Sequence, residues 1–379
     1  MKKLNLDKSS WKKVKFGDVV IEPKETCKDI VLEGIEHVVG LEHIDTGDIH
    51  LRKSATTEES TTFTKKFREG DVLFGRRRAY LKKAAQAKFD GICSGDITVF
   101  RTQKNLLPEL LPFIVNNDKF FDYAIKHSAG GLSPRVKFKD LAKYEFLLPP
   151  KKEEQAKLAE LLWAMDDVIE KEKEVLEKFN NYLQTSLKAI FKSNTKRIPL
   201  IDLCNEAPKY GANSPSTEYD DKVRYLRITD IGDFGELNFD KVSATTHEDK
   251  YLLSYGDFLL ARTADPGRSY YYKNSDGICT HAGYLIKFKL NLNKIIPEYL
   301  YYYTQTTEFK SWINKTTRKG TISNINATEF SKLKIPFVEM EIQKRSIQEI
   351  NASYKFLMEV SSKLKSSQSL QKSLINQVF

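Results

Sequence analysis

The sequence predicts an α+β fold in which two mixed α/β domains form a tandem pseudo-repeat. Each domain is followed by a long helix, and the two helices are expected to pack as an antiparallel coiled-coil bar. Two observations predict this: short motifs recur at a fixed spacing, and two segments carry the apolar periodicity of long helices. The predicted order is a first domain (1–150), a first long helix (151–194), a second domain (195–338) and a second long helix (339–379).

The repeat is clearest in two motifs that recur at a spacing of 186 residues. Gly70-Asp71-Val72-Leu73 returns as Gly256-Asp257-Phe258-Leu259, and Asp90-Gly91-Ile92-Cys93 returns unchanged as Asp276-Gly277-Ile278-Cys279. Arg76 returns as Arg262. A constant spacing over such a stretch indicates that a whole unit was duplicated. The period is too long for a solenoid, so two domains are expected.

Each copy shows the same order of short strands and one helical stretch. β-Branched and apolar runs bounded by Gly, Asp or Pro predict strands. In the first copy these are Val14–Ile21, Ile35–Ile44, Val72–Phe74 and Ile97–Arg101, followed by a helical stretch over Leu107–Lys126. In the second copy they are Tyr225–Ile231, Phe258–Leu260 and Tyr284–Lys289, with a helix from about Pro297 to Ile313.

The segments after both copies carry apolar residues in alternating steps of three and four, which is typical of a coiled-coil seam. The first seam comprises Leu158, Leu162, Met165, Ile169, Leu176, Phe179, Leu183 and Ile190, interrupted at Glu172 and Ser186. The second, looser seam comprises Ile347, Ile350, Tyr354, Leu357, Leu364, Ile375 and Val378. A helix with one apolar seam is unstable alone in water, so the two are expected to pack on each other.

Composition narrows the class of protein. The net charge of +10 favours a polyanionic partner, although a solubilising lysine excess would give the same value. No run of 18 apolar residues occurs and the start of the chain lacks a signal-like apolar core, so a cytoplasmic protein is expected. The four cysteines, Cys27, Cys93, Cys204 and Cys279, lack metal-ligand spacing and are interpreted as reduced, buried thiols.

Motifs of common enzymes are missing from the sequence. It contains no P-loop, no dinucleotide-binding glycine motif, no amino-methyltransferase motif and no zinc-protease or serine-hydrolase motif. Asp265-Pro266-Gly267-Arg268 is interpreted as a turn. The six histidines, His50 among them, show no partner at ligand spacing, and the pair Asp166-Asp167 is interpreted as solvated. Together these absences favour a protein that binds over one that catalyses, and neither a metal nor a catalytic residue is predicted.

The architecture resembles the specificity subunit of type I restriction–modification systems across essentially the whole chain. The motifs that carry this resemblance are Tyr225-Leu226-Arg227-Ile228-Thr229-Asp230-Ile231, the paired Gly70 and Gly256 motifs, and Leu147-Leu148-Pro149-Pro150 before Glu154-Gln155. Each motif is short, but their duplicated order is specific. The copies differ where Ser133-Pro134-Arg135 in the first meets Ser323-Asn324-Ile325 in the second.

The resemblance implies that each domain is a target recognition domain for one half of a split double-stranded DNA site. It implies that the helices are a spacer and the docking surface for two modification subunits. The chain itself would be non-catalytic and would hold no cofactor. S-adenosylmethionine would belong to the modification subunits, and ATP with Mg would belong to the restriction subunits of the full complex.

We predict DNA contacts from basic and polar residues that follow equivalent strands, because arginine and lysine bind phosphates and polar side chains read base edges. The candidates are Arg76, Arg77, Arg78, Ser133, Arg135 and Lys137 in the first copy, and Arg262, Arg268, Tyr270, Arg318 and Lys319 in the second. Arg76 and Arg262 are shared by the copies, so a structural or phosphate-binding role is open for them.

Three other functions stay open from the sequence. The chain could be a DNA-binding scaffold of another defence or recombination complex. It could be a nuclease or methyltransferase with a divergent active site, which the missing cofactor motif disfavours. It could also be a coiled-coil adaptor, which salt-sensitive DNA binding would exclude.

Overall fold

The computed structural model describes residues 6–56, 62–192, 196–246, 248–317 and 324–379. The chain divides into two compact units. Unit 1 comprises Met1–Glu172 with Lys363–Phe379, and unit 2 comprises Lys173–Ser362. Among the described residues, no helix is both long enough and apolar enough to cross a membrane.

In the described residues before the first long helix there are nine short strands and four short helices. The strands are β1 Lys12–Lys15, β2 Val20–Ile21, β3 Val38–Val39, β4 Lys65–Phe67, β5 Val72–Gly75, β6 Ala84–Gln86, β7 Gly91–Cys93, β8 Ile97–Thr102 and β9 Glu145–Leu148. The helices are α1 Phe16–Val19, α2 Leu111–Val115, α3 Asp118–Lys126, α4 Phe138–Leu141 and the long α5 Lys152–Lys192. Short 3-10 turns occupy Leu41–His43, Ala79–Leu81 and Pro108–Leu110.

The second copy has a similar set of elements. Its strands are β10 Arg197–Pro199, β11 Lys209–Tyr210, β12 Ser216–Glu218, β13 Arg224–Leu226, β14 Val242–Ala244, β15 Asp257–Ala261, β16 Ser269–Tyr271, β17 Cys279–His281, β18 Leu285–Lys289 and β19 Lys334–Pro336. Its helices are α6 Pro297–Thr304, α7 Thr307–Thr316, α8 Ala327–Ser331 and the long α9 Met340–Val378. The 3-10 turns are Leu200–Leu203, Ile228–Asp230, Asp249–Tyr251 and Asn274–Asp276.

Both units are built on a four-stranded antiparallel sheet. The strand order is β2-β8-β5-β6 in unit 1 and β11-β18-β15-β16 in unit 2. Each unit also contains one parallel pair, β3 with β7 and β13 with β17. The first strand of each copy pairs with the strand just before its long helix, as β1–β9 and β10–β19. The sequence repeat is therefore a repeat of topology.

The central strands β5 and β15 are buried on both faces, which explains why their sequences recur. Val72 and Phe74 pack into a core with the helices, whereas Leu73 points into a second, smaller core. In β15, Phe258 likewise packs into the main core of unit 2, and Leu259 packs into a smaller one. Because side chains alternate along a strand, a strand covered on both sides must be apolar throughout.

The glycine and aspartate before each central strand build the turn that starts it. Gly70 has a φ of +87° and Gly256 a φ of +93°, a conformation that disfavours other residues. Asp71, which is 2% exposed, accepts hydrogen bonds from Arg101 Nε at 2.7 Å and from the Arg68 backbone N–H at 2.8 Å. The repeated motif is thus structural.

The long helices α5 and α9 pack on each other, and in unit 1 they are antiparallel. Asp166 Oδ1 accepts a hydrogen bond from Gln371 Nε2 at 3.1 Å, and Glu172 Oε1 lies 3.4 Å from Lys363 Nζ. Residue numbers therefore rise along one helix as they fall along the other. In unit 2, a ring contact of 4.4 Å between Phe179 and Phe356 joins the same two helices. The predicted fold class is confirmed.

The predicted seam residues face the interior to different degrees. Those that are buried are Leu158, Leu162, Ile169, Leu183, Ile347, Ile350, Tyr354 and Leu357, and those that are partly buried are Met165, Leu176, Phe179 and Leu364. Leu158 and Leu162 lie in the main core of unit 1, so the start of α5 packs on the globular part of that unit. Glu172, an expected interruption, is only 7% exposed and pairs with Lys363.

The end of a long helix completes the core of each unit. Ile375, Val378 and Phe379 of α9 and the residue after it belong to the main core of unit 1. Leu187 and Phe191, at the end of α5, belong to the main core of unit 2. These positions match when the two helices are aligned by the repeat, so both units bury a helix end in the same way.

Several predicted elements are interrupted in the structure. The predicted strand Val14–Ile21 contains the helix α1, and the predicted strand Ile35–Ile44 retains only β3 and a 3-10 turn. The predicted strand Tyr225–Ile231 likewise ends in a 3-10 turn. The predicted helix Leu107–Lys126 is broken because Asn117 caps a new helix, its side chain accepting a hydrogen bond from the Lys119 N–H at 2.8 Å.

The predicted helix that starts at Pro297 is broken in the same way at Thr306. The side chain of Thr306 accepts a hydrogen bond from the Phe309 N–H at 3.2 Å and so caps α7. The strands predicted at Val72–Phe74, Ile97–Arg101, Phe258–Leu260 and Tyr284–Lys289 are confirmed, each within one residue at either end.

We predict that Asp71→Asn lowers the stability of unit 1 by about 2–3 kcal/mol, because it leaves Arg101 without its buried counter-charge. The measurement is urea unfolding followed by tryptophan fluorescence in a Trp312→Phe background, since the remaining Trp11 and Trp163 both lie in unit 1. Glu69→Gln is the control, because this neighbouring carboxylate is exposed. Equal midpoints for the two variants would contradict the prediction.

We predict that Ile375→Ala lowers the stability of unit 1 by about 2–5 kcal/mol, because it opens a cavity in the core that α9 completes. Ile375 is 4% exposed, whereas Leu370 on the same helix is 46% exposed and serves as the control when changed to Ala. The same fluorescence-detected unfolding measures both variants. A loss for Ile375→Ala no larger than that for Leu370→Ala would show that the helix end is dispensable.

Candidate nucleic-acid interface

Three separate segments of unit 1 meet where the predicted DNA-binding residues lie. They are the connection that follows β5, the turn that precedes β8 and the loop that precedes α4. The Arg76 N–H donates to the Asp96 carbonyl at 3.0 Å, and the Arg78 N–H donates to the Pro134 carbonyl at 2.8 Å. The Val136 N–H donates to the Arg76 carbonyl at 3.0 Å. The backbone thus fixes the segments to each other before any side chain contributes.

We call the side chains that these segments bring together the arginine cluster: Arg77, Asp96, Ser133 and Arg135. Arg77 Nη1 lies 3.1 Å from one oxygen of Asp96, and Arg135 Nε lies 2.7 Å from the other. Arg77 Nη2 also donates to Ser133 Oγ at 3.1 Å. The side chains of Arg77 and Arg135 remain 37% and 45% exposed. The cluster therefore presents positive charge to solvent on a fixed support.

Asp96 is held in its charged form by the two arginines. Partial burial alone would raise its pKa, but the hydrogen bonds and charges of Arg135 and Arg77 outweigh this, and the pKa of Asp96 is lowered. The same pairing raises the pKa of Arg135. The cluster is therefore an ionised network at neutral pH.

The remaining candidates of unit 1 are less tightly held. Arg78 is exposed, adopts a left-handed conformation with φ of 53°, and its guanidinium has no hydrogen bond to the described residues. Lys137 is exposed at the start of α4. Arg76 is partly buried, and its Nε is buried without a hydrogen-bond partner among the described residues. Arg78 and Lys137 are thus exposed charges that lie outside the hydrogen-bonded cluster.

Unit 2 repeats the backbone frame around Arg262 with different side chains. The Arg262 N–H donates to the Tyr284 carbonyl at 2.9 Å, and the Ile325 N–H donates to the Arg262 carbonyl at 2.9 Å. The Arg262 guanidinium lies 5.0 Å above the ring of Tyr210, and its Nε donates to Asn324 Oδ1 at 3.2 Å. Tyr284 and Asn324 thus take the places of Asp96 and Arg135.

Two residues of unit 2 that were predicted to contact DNA, Tyr270 and Arg268, make hydrogen bonds within the protein. Tyr270 is 1% exposed and donates to Asp276 Oδ2 at 2.5 Å, so the prediction that it contacts DNA does not fit this structure. Burial in β16 explains this, because alternate residues of that strand face the core. Arg268 is held by Asp265 Oδ2 at 2.6 Å and by the Ile231 carbonyl at 2.6 Å.

These bonds make Arg268 part of the turn predicted at Asp265–Arg268, and its charge is offset by Asp265 and by Asp233 at 3.3 Å. Arg318 and Lys319 lie outside the described residues. In the part of unit 2 that the structure describes, Tyr270 is thus buried, whereas Arg262 and Arg268 stay partly exposed.

Sequence reasoning missed four residues of these sites: Asp96, Tyr210, Tyr284 and Asn324. Asp96 and Tyr284 occupy equivalent places but differ in chemistry, so a search for repeated motifs passes over them. The available signal was the start of the predicted strands Ile97–Arg101 and Tyr284–Lys289, because residues at strand ends collect at one edge of a sheet. Asn324 did stand out in the sequence, but only as a departure from the first copy.

One group of side chains in unit 1 has the composition of a metal site. Single atoms of His50, Asp166 and Glu170 lie close enough to share an ion. Hydrogen bonds already occupy them: His50 Nε2 lies 2.7 Å from Asp166 Oδ2, and Arg52 donates to Glu170 at 2.7 Å. A cation there would compete with Arg52, so the group is better explained as a buried polar network.

This network corrects one sequence prediction. Asp166 is 4% exposed, so the expectation that it is solvated is wrong, and it is bonded to His50, which is also buried. The two residues are 116 positions apart, which is why spacing along the sequence did not reveal the pair.

The cysteines are free and three of the four are buried, as expected. Burial raises the pKa of Cys93 to about 12 and that of its repeat partner Cys279 to about 11. Burial also raises the pKa of the partly buried Cys204 to about 12. These thiols stay protonated at neutral pH and are poor nucleophiles.

Comparison with known proteins points in one direction. The sequence profile of the family described as the Type I restriction modification DNA specificity domain matches residues 8–181 and again residues 182–366. The specificity subunit of the type I restriction enzyme EcoDI from Escherichia coli is 30% identical over 139 residues, or 36% of this chain. The aligned stretch spans only 31% of that relative.

Two solved structures share the fold. The S subunit of a type I restriction–modification system from M. genitalium has a TM-score of 0.58 at 14% identity, with 100% of this chain and 99% of that chain covered. A chain from a study of assembly and conformational transition of a type I R-M system has a TM-score of 0.55 at 19% identity, with 99% and 98% covered. Because the family profile matches once on each repeat and spans residues 8–366, the chain belongs to the type I restriction–modification DNA specificity family, whose members recognise DNA.

Proposed function

We propose that this chain is the DNA sequence-recognition subunit of a type I restriction–modification complex and that each unit binds one half of a split double-stranded target. The observation that carries the proposal is the shared backbone frame with two different sets of exposed or partly exposed side chains. Unit 1 presents Arg77 and Arg135, and unit 2 presents Arg262 and Tyr210. Two copies of one frame with different chemistry suit a target whose two halves differ in sequence.

The charge of the chain supports a nucleic-acid target. The net charge is +10, and Arg78, Arg135 and Lys137 are all exposed in unit 1. Arginine and lysine that neutralise phosphates release condensed counter-ions, which supplies much of the affinity for DNA. The polar and aromatic side chains then read base edges or base shape.

We propose that the long helices set the spacing between the half-sites and dock two modification subunits, with restriction subunits in the full complex. Exposed apolar residues on α5 support a docking role. Leu161, Val168, Val175 and Tyr182 follow one another at intervals of seven and are between 41% and 59% exposed. A stripe at this spacing is what a partner helix would pack against.

We propose that catalysis belongs to the partner subunits, since specificity subunits of this family are generally non-catalytic. The modification subunits would hold S-adenosylmethionine, and the restriction subunits would hold ATP with Mg. The complex is expected to act on DNA in the cytoplasm.

Mapping N6-methyladenine in the native genome, with and without this gene, tests the proposed function. The expected result is that methylation disappears from one split motif, made of two short specific parts around an unspecified gap. Restoring the gene should restore the motif. A map that is unchanged by deletion would contradict the proposal and favour a DNA-binding scaffold of another complex.

We predict that Arg78→Ala lowers the affinity for DNA several-fold at low salt and flattens the salt dependence. Each phosphate contact contributes roughly 0.9 to the slope of log K against log salt, so the slope should fall in magnitude by about that amount. Fluorescence anisotropy with a labelled duplex measures both quantities.

Arg68→Ala is the matched control for this experiment. Arg68 lies beyond the opposite end of β5, is 64% exposed and pairs with Glu25 at 3.0 Å. An Arg78→Ala variant with the slope of the Arg68→Ala variant would remove Arg78 from the interface.

A further inference from the structure

Arg135 presents a guanidinium whose inner nitrogen is occupied and whose outer edge is open. Its Nε donates to Asp96 Oδ1 at 2.7 Å. Among the described residues, neither terminal nitrogen of Arg135 has a hydrogen bond, and the side chain is 45% exposed. The open edge carries the two parallel N–H groups that bind a pair of acceptors.

The backbone and the side chain of Arg135 are both held in place. Hydrogen bonds in both directions, at 2.9 and 3.0 Å, join Arg135 to Ala129. An isolated β-bridge places Arg135 opposite Arg77. A free arginine loses up to about 2 kcal/mol of rotamer entropy when it is fixed, and this arginine is largely ordered already.

Asp96 is the residue that orients Arg135. Its second oxygen accepts from Arg77 at 3.1 Å, and Arg77 is in turn tied to Ser133 at 3.1 Å. Each terminal nitrogen of Arg77 therefore already donates a hydrogen bond, so we assign Arg77 the role of supporting Asp96. Ser133, Arg77, Asp96 and Arg135 are thus joined in one hydrogen-bonded chain. The outer edge of Arg135 is the end of this chain that can bind a ligand.

The position of the carboxylate favours a base over a phosphate as the ligand of this edge. A phosphate on Arg135 would lie near the charged Asp96 and be repelled by it. A guanine offers O6 and N7 as neutral acceptors in the major groove, spaced for a bidentate arginine. Arg78 and Lys137, which have no such carboxylate bonded to them, are better placed for phosphates.

We propose that Arg135 reads a guanine in the half-site bound by unit 1 and that Asp96 is its positioning residue. This inference rests on the proposed function, because it assigns one base to one unit of a specificity subunit. In unit 2, Asn324 takes the backbone place of Arg135 and Tyr284 takes that of Asp96. The effect of Arg135 is therefore confined to one half of the target.

The test is the methylation motif produced by the intact complex in cells that carry Arg135→Lys, Asp96→Asn or wild-type protein. Arg135→Lys keeps the charge but loses the bidentate edge. It should lower the preference for guanine at one position of one half-site by about 10- to 100-fold, the range of a bidentate contact. Asp96→Asn should relax the same position, by a smaller factor, and the other half-site should be unchanged.

Arg68→Lys is the control, because it makes the same chemical change in an arginine–carboxylate pair elsewhere in unit 1 and should leave the motif intact. Thermal unfolding of each variant separates a loss of base reading from a loss of folding. Should Arg135→Lys fail to fold, Asp96→Asn carries the same prediction for the same position.

Three outcomes overturn the inference. The first is that Arg135→Lys methylates the wild-type motif with undiminished stringency at every position. The second is a uniform loss across all sequences with a weaker salt dependence, which would make Arg135 a phosphate contact. In the third, the wild-type protein itself gives no split motif. Only this last result refutes the proposed function as well.

Discussion

The core of each unit is closed by a helix end that the globular sequence of that unit does not supply. In unit 1, Ile375 and Phe379 fill the space beside the helices that follow the sheet. Polar contacts anchor this end: Asn117, which is fully buried, donates to the Ile375 carbonyl at 3.1 Å, and Lys8 donates to the Val378 carbonyl at 2.8 Å. The last carbonyls of a helix need such donors, so the two sets of contacts reinforce each other.

The rest of the fold follows from this requirement. Because each unit needs a helix end to complete its core, the position of that helix end is fixed. The start of each long helix is fixed as well. Gln155 and Gln343, which are 1% and 0% exposed, each hydrogen bond to the backbone of the loop that precedes the short helices of their copy. The long helices are therefore tied to the globular parts at equivalent positions in both copies. These contacts are shared by the two copies, whereas the side chains of the connections after β5 and β15 differ.

Sequence reasoning succeeded where the information is local or repeated. The duplication, the central strands and the long helices follow from motif spacing and periodicity. It failed where a distant partner decides, as for Asp166, which is buried against His50, and for Tyr270, whose strand turns it into the core. It also missed the helix break at Asn117, because the apolar periodicity continues across the cap. The elements of the candidate site could be placed, but not the pairing of Asp96 with Arg135, because the two residues are 39 positions apart.

The net charge of the chain and the local charges of the arginine cluster have different consequences for DNA binding. The excess of 61 basic over 51 acidic residues favours any polyanion, and it distinguishes no sequence from another. At the arginine cluster an acidic residue is placed between two arginines, which reduces the local positive charge. Such an arrangement is unfavourable for simple phosphate binding, but it holds a guanidinium edge at a fixed angle. In unit 2 the ring of Tyr210 restrains Arg262 by a cation–π contact instead of an ion pair. The two units thus use one backbone frame and two ways of orienting an arginine.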